Sequence, residues 1–132
     1  MPTEPKPRPA LLILEDEPQL TLIICDLLGD DFDIETAEDV EEALRLLSQR
    51  KFDILLSDQM LPGKKQGLDF LMEAMERQPN AKRILMTGYL NPELLSRGTT
   101  MAGLSAVLLK PVDSVRLREA IRIALNRAPD WI

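Results

Sequence analysis

Five side chains carry the chemistry of this sequence: Glu15, Asp16, Asp58, Thr87 and Lys110. Each stands directly after a short apolar run. Glu15-Asp16 follow LLIL, Asp58 follows ILLS, Thr87 follows ILM and Lys110 follows VLL. If those runs are parallel strands, all five side chains gather at one sheet edge. Three carboxylates in one cleft resist ionisation unless a cation intervenes. A hard divalent ion with oxygen ligands resolves the conflict, and Mg2+ suits it, because it binds through one or two carboxylates, keeps waters and favours phosphate oxygens. A hydroxyl (Thr87) and a fixed ammonium (Lys110) then suit the remaining oxygens of a phosphoryl group. A carboxylate nucleophile, a metal and positive clamps are what phosphoryl transfer requires.

The elements that must position these groups are readable from periodicity. Leu11 to Leu14 is unbroken apolar sequence, as in a strand buried on both faces. Pro18 opens a helix whose apolar positions are Leu20, Ile23, Ile24, Leu27 and Leu28, with Gly29 as its stop. Phe32 to Thr36 alternates like an edge strand. Asp39 with Glu42 starts a second helix. Phe52 to Ser57 is a third strand, and a loop with Pro62, Gly63, Lys64, Lys65 and Gly67 leads to a helix that closes before Pro79. Arg83 to Met86 and Ala106 to Leu109 read as strands four and five, and Ser114 to Arg127 as the last helix, capped by Asp113 or Ser114. Asn91 to Gly103 is expected to hold a short or distorted helix, because Gly98, Thr99 and Thr100 weaken it. Alternating strands and helices imply right-handed βαβ units and a doubly wound parallel sheet with helices on both faces. Such sheets bind ligands outside the carboxyl ends of their strands.

The chain has 132 residues, enough for one domain. Residues 1–10 hold four prolines and read as a tail, 11–128 as the domain, and 129–132 as a second tail or the start of a linker. There is no histidine, which removes His-based triads and most catalytic zinc sites. A net charge of −6 argues against direct nucleic-acid binding. No apolar run approaches the roughly 20 residues of a membrane span, and the single cysteine, Cys25, fits a reducing, cytoplasmic setting.

The segments LLILEDEP, DILLSDQMLPG, ILMTGY and LLKPVD resemble the four signature blocks of two-component response-regulator receiver domains, over roughly Leu11 to Arg127. The resemblance implies a flavodoxin-like fold with five parallel strands in the order 2-1-3-4-5. It implies that Asp58 is the phosphoacceptor and that Glu15 and Asp16 hold Mg2+ together with Asp58 and the Met60 backbone carbonyl. Thr87 becomes the switch hydroxyl and Lys110 the site lysine, with a cis Lys110–Pro111 bond. The donor would be a phosphohistidine on a sensor histidine kinase or histidine phosphotransfer protein, and an unidentified downstream protein would read the result. The module would assist its own phosphorylation and dephosphorylation without a separate catalytic domain. A phosphorylation-dependent homodimer is one output to weigh, and Arg116, Arg118, Arg122 and Arg127 give the last helix a basic outer side.

Several positions depart from the family pattern. Val107 stands where many receivers carry an aromatic, Glu15 replaces the commoner aspartate, the loop at Lys64 to Gln66 holds one extra residue, and Gly98-Thr99-Thr100 replaces a regular fourth helix. The alternative reading is therefore a pseudo-receiver, a constitutive protein-interaction module. A Mg2+-dependent phosphatase using an aspartyl phosphate is disfavoured, because Met60 stands where its second aspartate belongs.

Overall fold

The computed structural model describes residues 7–125. The elements alternate in the order β1 (Ala10–Leu14), α1 (Pro18–Leu28), β2 (Asp33–Ala37), α2 (Val40–Gln49), β3 (Ile54–Asp58), α3 (Gly67–Arg77), β4 (Lys82–Thr87), α4 (Pro92–Met101), β5 (Ala106–Leu109) and α5 (Ser114–Ala124). All strand pairs are parallel, and the sheet order is β2-β1-β3-β4-β5. This is the doubly wound topology expected from the sequence.

Alternation along the central strands divides the core into two layers, because successive side chains leave a strand on opposite faces. Leu12, Leu14, Leu55 and Leu85 pack with Val40, Ala43 and Leu47 of α2 and with Leu68, Phe70 and Leu71 of α3. Leu11, Ile13, Ile54, Leu56, Ile84 and Met86 pack with Ile24 and Leu28 of α1 and with Leu117 and Ile121 of α5. Both faces of β1, β3 and β4 are covered, which is why their sequences read as continuous apolar runs. Cys25 lies at the margin of the second layer. Among the described residues, no helix is long and apolar enough to cross a membrane.

Several boundaries differ from the sequence reading. β3 runs Ile54–Asp58 instead of Phe52 to Ser57, β4 extends one residue further at each end, and α5 closes at Ala124 with Leu125 as its cap. β1 begins at Ala10, inside the expected tail. The Ala10 N–H donates to the Asp53 carboxylate at 2.7 Å and its carbonyl accepts from the Asp53 N–H at 2.8 Å. β2 runs one residue further along, ending on buried Ala37. The fourth helix is neither short nor distorted. It runs ten residues without interruption, as long as α2. Its start is well made, with Pro92 in the first turn and the Asn91 side chain accepting from the Leu94 N–H at 2.7 Å. Gly98 is its one buried residue, and a Cβ there would stand 2.5 Å from Leu104 Cδ1. Tertiary packing thus uses the glycine that helix propensity counts against. The end of α4 is held by Arg83 of β4, whose buried guanidinium donates to the carbonyls of Ala102 (2.7 Å), Ala81 (2.6 Å), Pro79 (3.4 Å) and Gly103 (3.4 Å). Burial lowers the Arg83 pKa.

Expected residues 126 and 127 of the last helix, and most of both tails, lie outside the described residues. Asp113 supplies the cap of α5, accepting from the Arg116 N–H at 2.8 Å.

Of the glycines, Gly67 beside β3 is the most tightly enclosed. A Cβ on Gly67 would lie 2.0 Å from the Asp58 carbonyl oxygen and 2.9 Å from Ser57 Oγ. Backbone cannot yield as a side-chain tip can, so Gly67→Ala is expected to cost at least about 1–3 kcal/mol, the usual range for overpacking. Denaturant unfolding measures the loss. A midpoint within error of the parent would show that α3 and β3 can separate freely.

Candidate functional site

The carboxyl ends of β1, β3, β4 and β5 bring all five predicted side chains to one edge. Glu15 follows β1 and is fixed by its backbone, whose N–H donates to the Ala37 carbonyl at 3.0 Å. Asp58 is the last residue of β3 and Thr87 the last of β4. Lys110 follows β5, its N–H donating to the Thr87 carbonyl at 2.8 Å, and its bond to Pro111 is cis. Carboxylate oxygens of Glu15, Asp16 and Asp58 all lie within 4.8 Å of one another. Glu15 and Asp58 are buried, whereas Asp16 is exposed at the rim.

A single ammonium serves the two buried acids. Lys110 Nζ lies 3.0 Å from Glu15 Oε1 and 3.2 Å from Asp58 Oδ1. The Glu17 N–H donates to the other Glu15 oxygen at 3.1 Å. Backbone N–H groups of Gln59 and Met60 face the Asp58 carboxylate. Burial nevertheless dominates and raises the pKa of both Glu15 and Asp58, with Lys110 opposing the rise. For Lys110, burial disfavours the charge, but the hydrogen bonds it donates to Glu15 and Asp58 outweigh it and hold the ammonium above its ordinary value.

Thr87 is buried and points into its own loop. Its hydroxyl donates to the Tyr89 carbonyl at 3.0 Å and accepts from the Tyr89 N–H at 3.2 Å. The Met60 side chain is 72% exposed, so only its backbone belongs to the cleft. Lys65 is directed away, pairing with Glu73 at 3.8 Å. Val107 lines an apolar groove of about 540 Å³ with Leu90, Leu109, Val115 and Ile123, beside the sheet edge and separate from the acidic cleft. On the last helix, Arg116 pairs with Asp113, Arg118 with Asp31 and Arg122 with Glu119, while Arg127 lies outside the described residues.

Sequence reasoning missed the residues that shape the loop after Asp58. The Gln59 side chain accepts from the Leu68 N–H at 2.9 Å, and its carbonyl accepts from the Gly67 N–H at 3.0 Å. The Ser57 hydroxyl donates to the Asp58 carbonyl at 2.9 Å. Glutamines in a polar loop carry no periodic signal.

Charge sets the stability of this cleft. The raised carboxyls of Glu15 and Asp58 favour folding fully below their ordinary values of 4.5 and 3.8. That contribution is lost as pH rises through their folded values. Lys110, also raised, keeps its contribution until pH exceeds its ordinary 10.5. Asp58→Asn is therefore expected to raise the Tm of the metal-free protein at pH 7. The gain should shrink toward pH 4. Melting curves at both pH values in chelator check this, and a lower Tm for the variant at pH 7 would contradict it.

The family model described as the response regulator receiver domain matches residues 11–122. The response regulator protein PilR of Pseudomonas aeruginosa is 34% identical over 120 residues, covering 90% of this chain and 26% of that protein. The hydrogenase transcriptional regulatory protein HoxA of Cupriavidus necator is 31% identical over 88% of this chain and 24% of its own length. This chain thus spans about a quarter of those relatives. Among solved structures, the signal receiver domain of an HD domain-containing protein from Pseudomonas fluorescens Pf-5 matches with a TM-score of 0.85 and 27% identity, covering 94% of this chain and 91% of that one. A CheY-like response regulator receiver domain protein from Methanospirillum hungatei matches with a TM-score of 0.84 and 28% identity, covering 90% and 94%. A match across nearly the whole sheet, joined to an acidic cleft at its carboxyl edge, leaves one conclusion: the chain belongs to the response regulator receiver domain family.

Proposed function

We propose that Asp58 is the phosphoacceptor of this receiver and that the chain works as a phosphorylation-switched module. The observation that carries this is the Asp58 carboxylate, held 3.2 Å from Lys110 Nζ within a cluster of three acids. The chain contains no histidine, so the donor phosphohistidine belongs to a partner, a sensor histidine kinase or a histidine phosphotransfer protein. An Asp58 carboxylate oxygen attacks phosphorus and forms a P–O bond. The P–N bond to imidazole breaks, and the electron pair leaves with the ring nitrogen. Lys110 stays beside the developing charge.

The cleft's donors fit Mg2+. They are hard oxygens, and three carboxylates with one ammonium leave a formal charge of −2. Glu15, Asp16, Asp58 and the Met60 carbonyl would hold the ion, which when bound neutralises charge on phosphoryl oxygens. The raised pKa values of Glu15 and Asp58 support the same reading, since a bound cation favours the charged forms that burial disfavours.

The switch follows from Thr87. Its hydroxyl proton now goes to the Tyr89 carbonyl. A phosphoryl group on Asp58 offers a stronger, charged acceptor. Turning toward it releases Tyr89 and loosens the loop into α4, biasing a two-state equilibrium. Partner affinity then changes on the nearby face. Val107 offers no aromatic relay, so the loop itself carries the signal. An output protein, or a second copy, would read it. The acidic chain is read as receiving the signal rather than contacting nucleic acid, in a cytoplasmic setting and with no catalytic activity beyond handling its own phosphoryl group. The intact acidic cleft favours this over a constitutive pseudo-receiver.

Incubation with phosphoramidate and Mg2+, followed by phosphoprotein electrophoresis, tests the assignment. Asp58→Asn should take up no phosphate, and Lys110→Ala should react about a hundredfold more slowly, the scale of losing one preorganised charge partner. Undiminished labelling of the Asp58 variant would refute the reading. Thr87→Ala should still be labelled, but amide exchange at Gly88 to Asn91 should no longer respond to beryllofluoride.

A further inference from the structure

The loop from Gln59 to Gln66 carries the Met60 backbone past the phosphoacceptor. Gln59 ties its start to β4 and α3, and one side chain holds the stretch beyond Met60. Gln66 Oε1 accepts from the Leu61 N–H at 2.8 Å, and Gln66 Nε2 donates to the Leu61 carbonyl at 3.2 Å and to the Gly63 carbonyl at 3.4 Å. A primary amide engaging both polar groups of one residue copies a strand partner, and it fixes that residue's backbone in rotation as well as position. Gly63, at φ +96, makes the turn that brings the chain back over the carboxamide. The Leu61 side chain is buried and anchors the same point from below.

Met60 is thereby bracketed. On one side stands Asp58, locked into β3 and crowded by Gly67. On the other stands Leu61, locked by Gln66. The Met60 backbone between them has an N–H facing the Asp58 carboxylate and a carbonyl that the proposed site uses toward Mg2+. We infer that Gln66 is a positioning residue for the phosphoacceptor site, acting through Leu61 to aim the Met60 peptide at the cation and at Asp58. The inference rests on the site reading above.

Gln66 has a second duty that a test must separate. It is the N-cap of α3, its own N–H donating to the Asp69 carboxylate at 2.8 Å. Gln66→Asn keeps a good capping side chain but is one methylene too short to clamp Leu61. Asp69→Ala does the reverse, damaging the cap and leaving the clamp. Three readouts apply to both variants and the parent: Mg2+ affinity by calorimetry, formation of the beryllofluoride adduct by fluorine NMR, and phosphorylation rate from phosphoramidate across Mg2+ concentration. Gln66→Asn should bind Mg2+ about tenfold more weakly, a difference of 1.4 kcal/mol, with faster amide exchange at Met60 and Leu61. Saturating Mg2+ should restore its rate to within about twofold. Asp69→Ala should lose stability yet keep parental Mg2+ affinity.

Parental affinity in Gln66→Asn, or equal losses in the two variants, would overturn the positioning role while leaving the site reading intact. Failure of the parent to form the beryllofluoride adduct would instead refute the site reading, and the inference with it.

Discussion

Two buried carboxylates share one ammonium, and the rest of the structure is arranged around that imbalance. Lys110 reaches Glu15 and Asp58 at once, but one positive charge cannot offset two acids and the Asp16 carboxylate at the rim. A cleft of this kind is unfavourable for the folded chain on its own, because charge taken from water needs compensation. It becomes favourable when a cation enters, or when one acid is converted to a group with other partners. Stability is surrendered at the carboxyl edge of the sheet, and the apolar layers on both faces supply the surplus that makes this tolerable.

Topology explains why the crowding can occur at all. Parallel strands present all their carboxyl ends on one edge, so residues distant in sequence meet without any element bending to reach another. The register is tight: Asp58 lies opposite Met86 on β4, and Thr87 lies opposite Leu109 on β5, one residue before Lys110. Slipping any strand by one position would turn its core residues to the opposite face. The apolar pattern that builds the two core layers therefore also sets the register of the reactive groups.

The parts of this arrangement that obey a period were legible in the sequence. β1, β3 and β4 are continuous apolar runs closed by polar residues, and the four motif blocks contain Glu15, Asp16, Asp58, Thr87 and Lys110. What resisted reading depends on contacts between distant residues. Gly98 looks like a helix breaker until Leu104 is seen packed against it. Ala10 looks like tail until Asp53 pairs with it from both its backbone and its side chain. The glutamines of the loop after Asp58 have no pattern at all, since a carboxamide that substitutes for a strand partner can sit wherever the chain happens to return.

The Arg83 guanidinium at the far end of β4 bears on how α4 can move. It ties the carbonyls of Ala102 and Gly103 to the sheet, whereas the opposite end of the helix hangs from the segment that starts at Thr87. Only Gly98 is buried along the helix between them. A rod pinned at one tip and driven at the other sweeps an arc instead of translating. Should the segment after Thr87 shift, surface residues near Pro92 would travel further than those near Met101.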